Sequence, residues 1–451
     1  MTQTMSSPID RTALAALDRA HVIHPHRPAG ATDSLIVVRG EGCRIWDAAG
    51  NEYLDTAAGL ALTQVGHGRA ELAEAAAAQM RELEYYPSFW EFANPRAIEL
   101  AARLAALAPG DLPKVFFTSG GSEGIEVAAR MARLYHHERG EPGRTVLLAR
   151  RCGYHGVGYG SGSLTGFDDY HVGFEPMLPD VRHLTPPWSY RRELFGGEDP
   201  TEFCVRELER TIEQLGADRI AAFVGEPIMG VAGMVTPPVD YWPRVVELLR
   251  AHGILVIADE VICAYGRTGR WFACEHYGIE PDIVVSAKGI TSGYLPLGAV
   301  LVSGDVAAQL DLGPDGFPIG YTYTGHPTAC AVALANLDLI EREGLVARAA
   351  EVGARLLADL APLAELPAVG EVRGVGLMLA VELARDTPAG PDIGADASRD
   401  LRERHGLIVR AHESVLSLSP PLVISDDEVD RVVAAFHDVL GRIGEDGTVE
   451  R

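Results

Sequence analysis

Short unbroken apolar runs recur along this chain between segments of helical period. The runs Val115–Thr118, Thr145–Ala149, Ile220–Val224, Ile254–Ala258, Ile283–Ser286 and Ala299–Val302 read as strands. None alternates apolar with polar, as expected when both faces of a sheet are covered. Stretches such as Ser122–His136, Thr201–Leu215 and Tyr241–Ala251 repeat their apolar positions at helical spacing. Strand and helix in succession predict an α/β fold with a mostly parallel sheet, here spanning about Glu71 to Gly325. After Ala329 a long helical pattern runs to about Leu360. Short strands at Gly374–Glu382 and Leu407–Arg410 and a helix from Asp426 to about Ile443 then predict a smaller α+β unit. Near the start, Gly42–Asp47 and Glu52–Leu54 predict a hairpin around Ala49-Gly50-Asn51. The expected division is 1–70, a segment joining the small domain; 71–328, the large domain; and 329–451, the small domain.

The 451 residues carry 39 basic and 63 acidic side chains, a formal net charge of −24. Such a surface repels phosphate backbones, so no nucleic-acid partner is expected. The six cysteines include no CxxC pair, so neither a disulfide scaffold nor a metal site is expected. Met1–Asp10 lacks an apolar signal core. The longest charge-free run, Gly316–Leu337, contains Pro318, His326, Pro327 and Asn336 and is too polar to span a membrane. A soluble cytoplasmic protein is the expectation.

The basic residues divide very unevenly. They are 37 arginines and only two lysines, Lys114 and Lys288. Lys114 opens an apolar strand and reads as an exposed end charge. Lys288 follows the run Ile283–Ser286, where an ammonium is costly unless paired or deprotonated. Arginine cannot replace lysine as an amine nucleophile, because guanidinium stays protonated. Lys288 is therefore a candidate catalytic residue, with a lysine snorkelling to the surface as the plain alternative.

Three strands end in ionisable residues. Ile220–Gly225 ends at Glu226, Ile254–Ala258 at Asp259, and Ile283–Ala287 at Lys288. Ligands of open parallel sheets sit beyond the strands' carboxyl ends, so these groups share one predicted crevice. A fourth strand runs into Ser119-Gly120-Gly121-Ser122-Glu123-Gly124 and a helix. Such a turn can aim backbone N–H groups and a hydroxyl at a phosphate. It also matches GxSxG, the nucleophile elbow of serine hydrolases, with Ser122 as nucleophile. A plain tight turn is the third reading. A phosphate cradle, a carboxylate and a buried lysine together suit pyridoxal phosphate, whose aldehyde needs an amine and whose ring nitrogen needs an acidic partner. Tyr154 could stack on such a ring.

These pieces resemble the class III aminotransferases of PLP fold type I, in the ω-amino acid:pyruvate (ω-transaminase) branch, over about Gly42 to Pro421. The resemblance rests on Phe116–Glu123, Tyr154-His155-Gly156, Glu226–Gly230, Leu255–Val261, Tyr265–Gly269, Ser286–Gly289 and Gly320–Pro327. It implies a large domain with a mostly parallel seven-stranded sheet, binding pyridoxal 5'-phosphate, plus a smaller α+β domain. It implies ping-pong transfer of an amino group from a primary amine or ω-amino acid to a keto acid or aldehyde. It also implies a homodimer or a dimer of dimers. By the same resemblance Lys288 is the Schiff-base lysine and proton carrier, and Asp259 pairs the ring nitrogen. Val261 and Tyr154 flank the ring, with His155 and Glu226 beside them. Gly121 and Ser122 hold the phosphate, and Tyr321 and Thr322 reach the neighbouring subunit's phosphate. Arg410 grips a substrate carboxylate, and Phe89, Trp90, Leu60 and Ala61 are substrate-binding positions. The chain departs from the family where Ser119-Gly120 replaces Asn-Ser, where Ala61-Leu62 replaces Trp-Cys, and where Val231 replaces the glutamate of ornithine-type relatives. An aminomutase or racemase of the same fold, or a GxSxG hydrolase, are the alternative readings.

Overall fold

The computed structural model describes residues 10–27, 34–310, 316–384 and 393–444. The Met1–Asp10 stretch lies outside these except for Asp10. Three short strands come first: Val37–Glu41 (β1), Arg44–Asp47 (β2) and Glu52–Asp55 (β3). β2 and β3 form the expected hairpin. The Asp47 carboxylate closes its turn by accepting the backbone N–H of Ala49 at 2.8 Å and of Asn51 at 2.9 Å, an Asx-type arrangement.

The central sheet contains Lys114–Thr118 (β4), Val146–Arg150 (β5), Val181–Leu184 (β6), Ile220–Gly225 (β7), Leu255–Asp259 (β8), Ile283–Ser286 (β9) and Gly298–Val302 (β10). Its seven strands lie in the order β4-β10-β9-β8-β7-β5-β6. β10 runs antiparallel to both neighbours, and the other pairings are parallel. Every residue of β5, β7, β8, β9 and β10 is buried, which accounts for their unbroken apolar runs. β6 is an addition to the strands expected. Its Val-Arg-His-Leu sequence sits at the sheet edge with only Leu184 buried, so it lacks the apolar signal.

A second sheet contains Val369–Val375 (β11), Met378–Leu383 (β12), Arg410–His412 (β14) and Val415–Leu418 (β15). Leu407–Ile408 (β13) instead pairs in parallel with β3. The expected strand Gly374–Glu382 is thus a hairpin, turning at Gly376 with φ +58°. A Cβ there would come within 2.4 Å of the Thr268 backbone, so glycine is required. The expected strand Leu407–Arg410 is divided between two sheets. At the break, the Val409 carbonyl leaves the ladder and accepts the Ser398 hydroxyl at 2.7 Å. The long helical pattern after Ala329 is two helices, Pro327–Arg342 and Leu345–Leu360, separated by Gly344 at φ +63°. Among the described residues no helix is long and apolar enough to cross a membrane.

Candidate active site at the carboxyl ends of the central strands

Strands β7, β8 and β9 deliver Glu226, Asp259 and Lys288 to one cavity of about 1070 Å³. β8 ends on Asp259, whose side chain is buried. One oxygen lies 2.7 Å from His155 Nδ1 and the other accepts the Val261 backbone N–H at 3.1 Å. A carboxylate only accepts, so the Nδ1 of His155 carries the proton. Nε2 of His155 is buried without a hydrogen-bond partner among the described residues. Glu226 is buried, and its two oxygens accept the N–H groups of Tyr154 at 3.1 Å and Gly230 at 2.8 Å. Burial pushes its pKa up, while His155 nearby holds it down.

Lys288 stands just past β9, at φ +48°, and opens a single 3-10 turn through Ile290. Burial lowers its amine to about 8; Asp259 draws it back up and Arg410 pushes it further down. Desolvation disfavours the ammonium form, so the neutral amine is accessible near physiological pH.

β4 passes through Ser119-Gly120 into helix Gly121–Glu138, whose N-terminus has no side-chain cap. Ser119, Gly120, Gly121 and Ser122 line the cavity there. A Cβ on Gly121 would stand 2.9 Å from both Val261 methyl carbons. One on Gly156 would stand 2.6 Å from Ser122 Oγ. Gly121 therefore lets the helix N-terminus approach the residues after β8, and Gly156 lets its loop approach Ser122; the first N–H groups of the helix, which have no partner within it, and the Ser122 residue stand at the cavity wall. Ser122 has none of the strained positive-φ backbone of a nucleophile elbow and lies inside the helix. Among the described residues no hydrogen bond joins its hydroxyl to a histidine, so the hydrolase reading has no support in the geometry.

Tyr154 lines the cavity, edge-on to Tyr170 at 5.7 Å between ring centroids. Arg410 reaches the same cavity from β14, and its side chain makes no ion pair with another described residue. Burial lowers its pKa, opposed by Tyr170, Tyr154 and Glu226. Leu60 and Ala61 line the wall, where Ala58, Gly59 and Ala61 all have positive φ. Val231 and Met234 line the cavity too and share an apolar cluster with Ala61.

Four expected residues stay out of the cavity of their own chain: Phe89, Trp90, Tyr321 and Thr322. They gather elsewhere: Phe89 packs against Gly320, and the Tyr85 hydroxyl donates to the Thr322 carbonyl at 2.7 Å. Trp90 is 85% exposed. In the other direction, sequence reading did not find His26, Asp169, Tyr170 and His412, which line the cavity. They sit in loops or short elements where no periodicity marks them.

A family model for class III aminotransferases matches residues 27–440. The putrescine–pyruvate aminotransferase of Pseudomonas aeruginosa is 40% identical, over 94% of this chain and 95% of that protein. The solved structure of a thermostable (S)-enantioselective ω-transaminase from Thermomicrobium roseum superimposes with a TM-score of 0.90 at 47% identity, covering 94% of this chain and 97% of that one. An amine transaminase from an uncultivated Pseudomonas species, solved in its PLP-bound form, gives a TM-score of 0.89 at 42% identity, covering 94% and 99%.

Proposed function

This chain belongs to the class III aminotransferases, and on that premise we propose that the cavity takes pyridoxal phosphate and passes amino groups from primary amines or ω-amino acids to a keto acid such as pyruvate. The observation that carries the reading is Lys288, one of two lysines in the chain, standing with Asp259 and Glu226 in a cavity that an uncapped helix N-terminus also enters. The donor set fits the cofactor: an amine for the aldehyde, a carboxylate for the ring nitrogen, and a glycine-lined cradle for the phosphate.

Bound there, the cofactor supplies an aldehyde that condenses with amines and a protonated ring that accepts electrons from the substrate carbon. The chain's own groups do the rest. Asp259, held by the His155 ring and the Val261 N–H, keeps a proton on the ring nitrogen. Lys288, with its amine lowered to about 8, would hold the aldehyde and could take and return a proton at its Nζ. Glu226 ties the Tyr154 loop to the end of β7 by accepting the Tyr154 N–H, while its other oxygen accepts the Gly230 N–H of its own segment; this holds Tyr154 at the cavity wall. Ser122 and the N–H groups of the first helical turn bind the phosphate. Arg410 pairs the carboxylate of the acceptor. The putrescine–pyruvate relative supports an amine donor and pyruvate as acceptor.

The active unit in this reading is a homodimer or a dimer of dimers, with Tyr321, Thr322, Phe89 and Trp90 serving the neighbouring subunit's cavity. The exposed aromatic rings of Trp90, Tyr86 and Tyr323 support an interface there. Among the described residues, which include all six cysteines, no disulfide forms, in keeping with a reducing, cytoplasmic setting. Borohydride reduction with the cofactor bound, followed by peptide mapping, tests the reading. The pyridoxyl group is expected on Lys288, and a label on Lys114 overturns it.

A further inference from the structure

We infer that Asn336 is a positioning residue for Lys288, its side-chain amide holding the turn that presents the amine. The inference rests on the reading of Lys288 as the amine that captures the cofactor. Asn336 lies on helix Pro327–Arg342 and is fully buried. Its Nδ2 donates to the carbonyls of Gly289 at 2.9 Å and Ile290 at 3.0 Å, and its Oδ1 accepts the Ser292 hydroxyl at 2.6 Å. Ser292 Oγ in turn accepts the Val65 backbone N–H at 3.3 Å. None of these bonds goes to Asn336's own helix. One amide thus spends both of its ends on the turn that begins at Lys288.

That turn needs holding. Lys288 at φ +48° and Ser292 at φ +50° bracket it, in a backbone region disfavoured by the Cβ atom. Such residues persist only where the surroundings over-determine them. The backbone bonds inside the turn are long: 3.3 Å from Thr291 N to the Lys288 carbonyl and 3.2 Å from Ser292 N to the Gly289 carbonyl. Among the described residues the Lys288 side chain makes no hydrogen bond or ion pair, so the backbone sets where its amine points. Asn336 supplies the strong, fully satisfied contacts, and a buried amide of this kind is costly to lose.

The node also fastens the turn to the substrate wall. Val65 follows Gln64, whose side chain packs so closely on Gly289 that a Cβ there would stand 2.2 Å from Nε2. The same segment carries Leu60 and Ala61 in the cavity lining. Asn336 therefore sets Lys288 relative both to the sheet and to the wall a substrate meets.

The test titrates Lys288 in the full-length chain after cofactor removal. A short pulse of acetic anhydride at graded pH is read by mass spectrometry, with the exposed Lys114 as internal reference. The unaltered chain should label with a midpoint near 8. Asn336→Leu should move the midpoint up toward the ordinary lysine value of about 10.4, as the freed turn lets the amine reach solvent. In the loaded enzyme the same variant should lower kcat on the order of tenfold to a hundredfold, with KM for the amine donor little changed. Ile340→Ala, one helical turn on and fully buried, should lose thermal stability without moving the midpoint. Ser292→Ala removes one arm of the node and should shift the midpoint in the same direction by less; it carries the test if circular dichroism shows Asn336→Leu unfolded. An unmoved midpoint in the folded node variants, or an equal shift in Ile340→Ala, overturns the inference. A borohydride label on Lys114 would instead overturn the functional reading itself.

Discussion

Burial lowers the Lys288 amine to about 8, and this gives the residue a measurable pH signature. Capture of the aldehyde needs the neutral amine, so its rate should rise about tenfold per pH unit below the midpoint and level off above about 8. Stopped-flow absorbance of the cofactor-free chain mixed with pyridoxal phosphate reads this directly. A rate still climbing past pH 9 would mean an unperturbed lysine. Between about 8 in the folded chain and roughly 10.4 in the unfolded one, the unfolded state binds the extra proton. The contribution of this group to the stability of the cofactor-free chain therefore rises with pH across that window. Arg410 makes a second residue-scale prediction. Its guanidinium lines the cavity without a carboxylate partner among the described residues, so an acceptor's carboxylate is the partner it lacks. Arg410→Ala should weaken the half-reaction with pyruvate by about 2–4 kcal/mol and leave that with an apolar amine nearly unchanged. Measuring the half-reactions separately decides it, and equal loss in both would make Arg410 a support of the fold.

Helix Gly121–Glu138 and the end of β8 can approach only because Gly121 has no Cβ. Gly121→Ala must push Val261 away from the helix and into the cavity it lines. Overpacking of this kind costs about 1–3 kcal/mol, here paid in cofactor affinity more than in folding, since Val261 can yield toward open space. Titration of the cofactor-free variant with pyridoxal phosphate should show weaker binding with a melting temperature close to the parent's. The reverse pattern would mean that the contact serves the fold. At this scale the sequence was informative where an element is buried on both sides. Leu255–Asp259 and Ile283–Ser286 are legible because each residue in them is buried. β6 was not, because this edge strand is only partly covered and its Arg182 and His183 carry no strand signal. The Leu407–Arg410 run shows an apolar stretch but cannot show that Val409 leaves the ladder to meet Ser398.

At the scale of the whole molecule, the aromatic group around Trp90 is exposed on a single chain. In the proposed assembly this group, with Tyr86 and Tyr323 also exposed, lies at the contact between subunits. Light scattering of the cofactor-loaded protein should give at least twice the chain mass. Trp90→Glu should weaken association by about 2 kcal/mol, the scale of an aromatic interface anchor, and activity should fall on dilution with it. A fully active monomer at high dilution would remove Trp90, Tyr321 and Thr322 from the site.

Groups whose signal is local are legible in the sequence. Two lysines among 39 basic residues, and ionisable residues at three strand ends, are visible without coordinates, because a charged side chain closing a buried apolar run stands out against its neighbours. Folding decided what depends on pairs distant in the chain. It brought Arg410 to the cavity through β14, joined β13 to β3 across more than three hundred residues, and set Asn336 against the lysine turn from a helix that reads as ordinary core. It also kept Phe89, Trp90, Tyr321 and Thr322 away from the cavity of their own chain. A run of residues records its burial and period, since those act on every position within it. Which other run it meets depends on packing among all of them, and no local pattern carries that.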